Sequence, residues 1–294
     1  MLYRKRITRL KMQTMLSKIE ITEIIKNIEQ EKLFEVTSAD SGFTIKIDKY
    51  VPYCCTAIHN GSTLRPELHD KIAVNEYQRW YEEDPYTGDF IKSMPITIVG
   101  NDSRFEYDLN RNPYQCVYSF AWGKVIWTKQ LTENEINISK QKHADYFRVL
   151  HALVSKLEDL YGGCIVYDIH TYNYKRWSRE VPLFNIGTEK IDLKLHNETV
   201  QNWLNELRGI DLPGIVNCAV TNDVFTGQGY NLEYINTHFK NTLVLATEIK
   251  KIYCDELTSE PYPKIIRMLQ QSLEIAIFNN SNSFRRKLGK SHYY

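Results

Sequence analysis

The alternation of apolar and polar positions divides the chain into helical and extended stretches. From residue 15 to about 32, Ile21, Ile24, Ile25 and Ile28 recur at helical spacing, which predicts an amphipathic helix. Phe43, Ile45 and Ile47 then alternate with polar partners, as in a strand with one solvated face. Four runs (51–58, 164–169, 216–220 and 242–246) are mostly apolar on both faces, the pattern of central strands in a covered sheet. Helices fall between them. Thr132-Glu133-Asn134-Glu135 is a capping box that opens one, with Glu135 at the reciprocal position. Phe147, Leu150, Val154, Leu157 and Tyr161 mark one side of a further helix, which Gly162-Gly163 ends. Residues 196–207 and 263–278 make two more. Buried strands interleaved with helices predict an α/β fold with helices on both faces of the sheet. The chain shows no internal repeat and no Pro/Ser-rich linker, so one domain is favoured over two.

Composition narrows the function classes. The 294 residues are 43% hydrophobic and 25% charged, which excludes a disordered or fibrous chain. Thirty-seven basic residues against thirty-six acidic leave a net charge of +1, so no global field points to nucleic acid or membrane. The local exception is the basic start, where Arg4, Lys5, Arg6, Arg9 and Lys11 stand without an acid; it reads as an N-terminal extension. No run approaches the roughly 18 apolar residues of a membrane helix. Six cysteines lie mostly inside apolar runs with no CxxC pair, which predicts buried, reduced thiols in a cytoplasmic protein.

In open α/β sheets, ligands bind beyond the carboxyl ends of the strands. The run 51–58 ends in His59, followed by Asn60-Gly61; 164–169 ends in His170, with Asp168 two residues earlier; 242–246 ends in Thr247-Glu248. Two histidines and a glutamate are the parts of a mononuclear zinc hydrolase, imidazole ligands plus a carboxylate that handles the proton. The third ligand stays open. Glu82, Glu83 and Asp84 precede Pro85 in a predicted turn, and Glu67 follows His59 by eight residues. A second constellation is Arg104, Asp108, Asn110 and Arg111. Arginine forks can grip a substrate carboxylate and stabilise an oxyanion, or pair with Asp108 to fix the loop. Asp168 shares a strand face with His170 and can support it near a metal. Arg176, Asn222 and Tyr230 are weaker candidates for a substrate contact, and for each a plain surface or loop role is the readier reading. His143 and His151, two helical turns apart, are poorly spaced for one ion.

These motifs resemble the N-formylglutamate amidohydrolase family, over about Tyr50 to Tyr262. The resemblance rests on His59-Asn60-Gly61, where the family usually has His-Ser-Gly, on Ser103-Arg104 with Asp108-Leu109-Asn110-Arg111, and on Asp168-Ile169-His170-Thr171. The chain is most similar to a bacterial branch sharing Glu-Glu-Asp-Pro-Tyr-Thr and Phe-Asn-Ile-Gly-Thr, here at 82–87 and 184–188. The family is related to the zinc carboxypeptidases. The resemblance therefore implies a single domain with a mixed, mostly parallel β-sheet flanked by helices, zinc-carboxypeptidase-like (phosphorylase/hydrolase-like), with residues 1–40 as extension and amphipathic helix and 41–294 as the catalytic domain.

The resemblance also implies one Zn2+ held by His59 and His170, with Glu248 as general base. By the same carry-over Arg104 polarises the scissile carbonyl, and Asn110 with Arg111 holds the substrate's α-carboxylate. The third metal ligand falls to Glu83 or Asp84, where the family carries an acidic segment; the carboxypeptidases' His-x-x-Glu spacing is absent, since Ser62 stands three residues after His59. The implied activity is hydrolysis of a linear amide in a small N-acyl amino acid such as N-formylglutamate, with no nucleic-acid or membrane partner. Two readings compete with it: a catalytically silent module that senses a small carboxylate ligand, and a zinc carboxypeptidase-type peptidase. Glu248 favours an enzyme, because a sensor has no use for a proton acceptor there.

Overall fold

Hydrophobic residues that face both ways along a strand must be covered on both sides, and the computed structural model, which describes residues 16–291, shows how. Nine strands form one sheet: β1 (Lys18–Ile19), β2 (Phe34–Ser38), β3 (Phe43–Ile47), β4 (Tyr53–Ala57), β5 (Ile96–Gly100), β8 (Cys164–Tyr172), β9 (Phe184–Ile186), β10 (Ala219–Thr221) and β11 (Thr242–Lys250). β6 (Phe120–Ala121) and β7 (Lys124–Val125) make a separate hairpin. The order across the sheet is β1-β2-β3-β5-β4-β8-β11-β9-β10. Its centre, β5-β4-β8-β11, is parallel, and the antiparallel pairings β2–β3, β3–β5 and β11–β9 flank it. The sheet is thus mixed and mostly parallel.

Helices cover both faces. α1 (Ile21–Glu29), α4 (Glu133–Tyr161) and α6 (Tyr230–His238) pack with Cys54, Cys164, Val166 and Val244 on one side. α3 (Thr87–Ile91), α5 (Leu193–Arg208) and α7 (Pro263–Ser291) pack with Cys55, Ile165, Tyr167, Leu243 and Leu245 on the other. The alternation of successive β8 and β11 residues between the two cores is the pleat at work. α2 (Glu76–Glu82) lies before α3 and matters for the site. No described helix is long and apolar enough to cross a membrane.

The elements depart from the sequence expectation in instructive ways. The two helical stretches between Thr132 and Tyr161 are one 29-residue helix, opened by the Thr132/Glu135 capping box and closed by Gly162 at φ +75°. The run 216–220 is not a central strand: only Ala219–Thr221 is extended, at the sheet edge, and Val216 is 90% exposed. Edge strands are commonly kept short, and here only Ala219 of the three residues is buried. β1 and β2 join the main sheet, with β2 pairing to β3 across residue 40, and α1 between them packs on its face. The basic stretch before residue 12 lies outside the described residues.

Candidate functional site

Three parallel strands end on the same side of the sheet, and their register aligns the polar residues. Thr56 of β4 lies beside Asp168 of β8, and His170 of β8 lies beside Glu248 of β11. Asp168, His170, Ala246 and Glu248 share one face by the two-residue period. His59 follows β4, as its run predicts, whereas His170 and Glu248 fall inside longer strands that pair as far as Tyr172 and Lys250.

The turn after β4 is set by close backbone approach. A Cβ on Gly61 would lie 2.0 Å from the Asn101 carbonyl carbon, so only glycine fits. Beside it, the His59 carbonyl accepts the Asp84 N–H at 2.9 Å, and the Asn60 side chain accepts the Gly88 N–H at 2.9 Å. These bonds fasten the 83–86 turn against His59. Lys251, fully buried just past β11, donates to the Tyr81 and Glu83 carbonyls at 2.9 and 2.7 Å from the other side.

The result is a buried group of His59, Asp84 and His170, with one ligand atom from each lying within 4.8 Å of the others. Nδ1 of each histidine stands 3.3 Å from Asp84 Oδ2, and Thr171 donates to Asp84 Oδ1 at 3.0 Å. The far nitrogens are held separately: His59 Nε2 is 2.7 Å from Asp108 and His170 Nε2 is 2.9 Å from Asp168. A carboxylate on one imidazole nitrogen, with the other turned to a common point, is the arrangement that orients metal-ligating histidines. Two imidazoles and a carboxylate suit zinc and leave one of its four tetrahedral positions for another ligand.

The electrostatics follow from burial and pairing. Burial opposes the charge on Asp84, Asp108 and Asp168, but the histidines, and Arg104 at Asp108, outweigh it and hold all three carboxyls below their usual range. Burial likewise disfavours the His170 cation, yet Asp168 and Asp84 raise its pKa well above the ordinary imidazole value. Burial pushes Glu248 up to about 8, against the pull of His170. A carboxyl poised near neutrality can exchange protons at working pH.

Of the other predicted residues, Arg104 donates to Asp108 through Nε and Nη2, at 3.3 and 2.9 Å, and to the Glu82 carbonyl at 3.0 Å. Trp122, at the tip of the β6–β7 hairpin, stacks on its guanidinium at 4.9 Å. Arg104, Asn110, Arg176, His59, Asp84, His170 and Glu248 all line one 180 Å³ cavity. Arg111 does not; it reaches Asp108 at 3.5 Å and stacks over Tyr118 at 4.3 Å. Glu83 also stands apart from the three-residue group: its carboxylate accepts the Ser103 hydroxyl, and burial pushes it up to about 7. Glu67 pairs with Arg65 on the surface. His143 is not part of that group; its Nε2–H donates to the Arg111 carbonyl at 2.9 Å. Sequence reasoning weighed Glu82 only as one of the acids before Pro85, whereas it lines the cavity and binds Arg176 and Lys124, and it missed the reach of Asp108 to His59.

Comparison with known proteins agrees with this architecture. Among curated proteins, none matches the chain by sequence. An N-formylglutamate amidohydrolase from Ralstonia eutropha JMP134 superposes with a TM-score of 0.65 at 18% identity, covering 81% of this chain and 97% of its own. A gene product from Agrobacterium tumefaciens gives 0.57 at 15% identity, covering 81% and 95%. At these identities the likeness is one of fold. The model of the N-formylglutamate amidohydrolase family matches residues 51–252, more than half of the sequence, and the chain belongs to that family.

Proposed function

We propose that this protein is a zinc-dependent hydrolase of N-acyl amino acids, the class to which N-formylglutamate belongs. The observation that carries the reading is the opposed pair of imidazoles, both Nδ1 atoms turned to Asp84 and each Nε2 held by its own carboxylate. His59, Asp84 and His170 would hold the ion. When bound, zinc supplies a Lewis acid for the amide carbonyl and acidifies water toward neutral pH.

The chain's own residues do the rest. Glu248 takes the proton from the water that attacks the carbonyl carbon, then returns it to the leaving nitrogen, so the amide gains one water and parts into acid and amine. Arg104, fixed on Asp108 and the Glu82 carbonyl, stabilises the oxygen on which charge develops, with no reorientation needed. Asn110 and Arg176 receive the α-carboxylate. Arg111, outside the cavity, contributes by stacking and by its hold on Asp108.

The test is zinc content with turnover. Protein purified without chelator should carry about one zinc per chain, lost in His170→Ala. Glu248→Gln should keep the zinc yet lower formate release from N-formyl amino acids at least ~100-fold. An unchanged rate would remove Glu248 from the chemistry, and protein that takes up no offered zinc would sink the mechanism.

A further inference from the structure

The site has a second chamber. A 430 Å³ cavity shares Asn110, His170, Phe225 and Glu248 with the 180 Å³ one and extends from them under the loop 224–229. The two chambers differ in charge. Arg104 and Arg176 line the smaller, whereas among the described residues no lysine or arginine lines the larger. The larger is walled by Val224, Leu232 and Ala246 and by the backbone of glycines, and it also carries Asp168, His170 and Glu248.

This chamber is built in advance. The buried Asn185 side chain accepts the N–H groups of Asp223 and Val224 at 2.8 and 3.0 Å and donates to the Phe225 carbonyl at 2.7 Å. A Cβ on Gly187 would lie 2.3 Å from Gly227 N, and one on Gly229 would lie 2.0 Å from Asn110 Oδ1. The wall is thus built from backbone crossing backbone at Gly187 and Gly227 and from the Asn110 side chain seated against Gly229. Its volume falls within the roughly 300–1,000 Å³ of ordinary ligand pockets, far beyond what a formyl group fills.

We infer that the larger chamber is the subsite for an uncharged part of the substrate, its side chain or its acyl chain. This rests on the amidohydrolase reading and narrows it. The single α-carboxylate goes to the arginine-lined chamber and the amide lies at the shared residues, while among the described residues no lysine or arginine lines the larger chamber to pair with a second anion. The preferred substrates are mono-anionic N-acyl amino acids, and N-formylglutamate, with its second carboxylate, is a poor one.

Two pairs of compounds that differ in charge at one end test this on the zinc-loaded protein. N-formyl-L-glutamine is compared with N-formyl-L-glutamate, and N-pentanoylglycine with N-succinylglycine, by kcat/KM. The neutral member of at least one pair should lead by about tenfold or more, and the pair that does so tells whether side chain or acyl chain occupies the chamber. Thr226→Lys, at an exposed position of the lining, should narrow that ratio about threefold or more by setting an ammonium at the chamber. Charged members that match or exceed the neutral ones in both pairs would overturn the inference and leave the amidohydrolase intact. Product from none of the four would overturn the amidohydrolase reading itself, and the inference with it.

Discussion

His170 takes its supporting carboxylate from its own strand, two residues away at Asp168, whereas His59 takes it from Asp108, forty-nine residues further along the chain. In the first half the pleat of β8 fixes the pair, and the Thr56 hydroxyl on the neighbouring strand anchors Asp168 at 2.6 Å. In the second, a loop must fold before the pair exists. That loop also spends the same carboxylate on Arg104 and on the Asn110 N–H. The strand half therefore does one thing, orienting a histidine. The loop half couples that histidine to the groups proposed to hold substrate, so a change at Asp108 is felt in both places.

Asp108→Asn should give the largest effect that separates the halves. Zinc affinity, measured by competition with a chelator, should fall about 10–100-fold, as for supporting carboxylates generally. The value of kcat/KM should stay low after zinc is saturating, because Arg104 has lost its anionic partner. Asp168→Asn should cost a similar factor in affinity but recover its activity once zinc is supplied. Identical behaviour of the two variants would dissolve the distinction.

A smaller effect concerns pH. In the metal-free protein, burial works against the His170 cation, but Asp168 and Asp84 keep the proton on above the ordinary imidazole range. Zinc must displace that proton, so its affinity should rise with pH through neutrality, about tenfold per pH unit while one proton is released. Titration in buffers of different ionisation heat counts the protons. Asp168→Asn should flatten the slope and Asp108→Asn should leave it, since Asp168 is the main partner that raises His170. A flat profile in the parent would show that His170 is already neutral.

The smallest effect is on the thiols. Cys54 and Cys164 are buried beside the strand half, and burial pushes Cys164 up to about 12. Cys218 is the exposed thiol. A thiol reagent should modify one cysteine quickly in the native protein and all six after denaturation, with zinc binding unchanged by the first modification. Rapid reaction of several would mean that the sheet beneath His170 opens readily.

The same contrast explains what could be read from the sequence. His59, His170 and Glu248 were visible because a buried strand ends, or turns polar, at each of them, and Asp168 because two residues along a strand is one face. The α/β class was visible for the same reason. The choice of Asp84 over Glu83 was not, because it depends on the turn after α2, where Glu83 is extended and Tyr86 sits at φ +70°. Adjacent residues there point different ways, and composition cannot say which. Asp108's reach to His59 is hidden likewise, since a loop carries no period. β9 went unrecognised because three residues make too short a pattern, and 216–220 misled because an apolar run at an edge looks like one in the middle.

One strand sets the spacing between the proposed base and the turn that bears Asp84. β11 offers Glu248 to the cavity, and three residues later Lys251 clasps the carbonyls of Tyr81 and Glu83. The two act as jaws on a single beam. Motions that carry the strand as a rigid piece move both jaws together, so the gap between them stays constant while the sheet breathes. The same arrangement marks where the chain has no slack: a residue inserted between 248 and 251 would turn the clasp to the opposite face of the strand, whereas one inserted in the exposed loop between Pro213 and Gly214 would leave the gauge untouched.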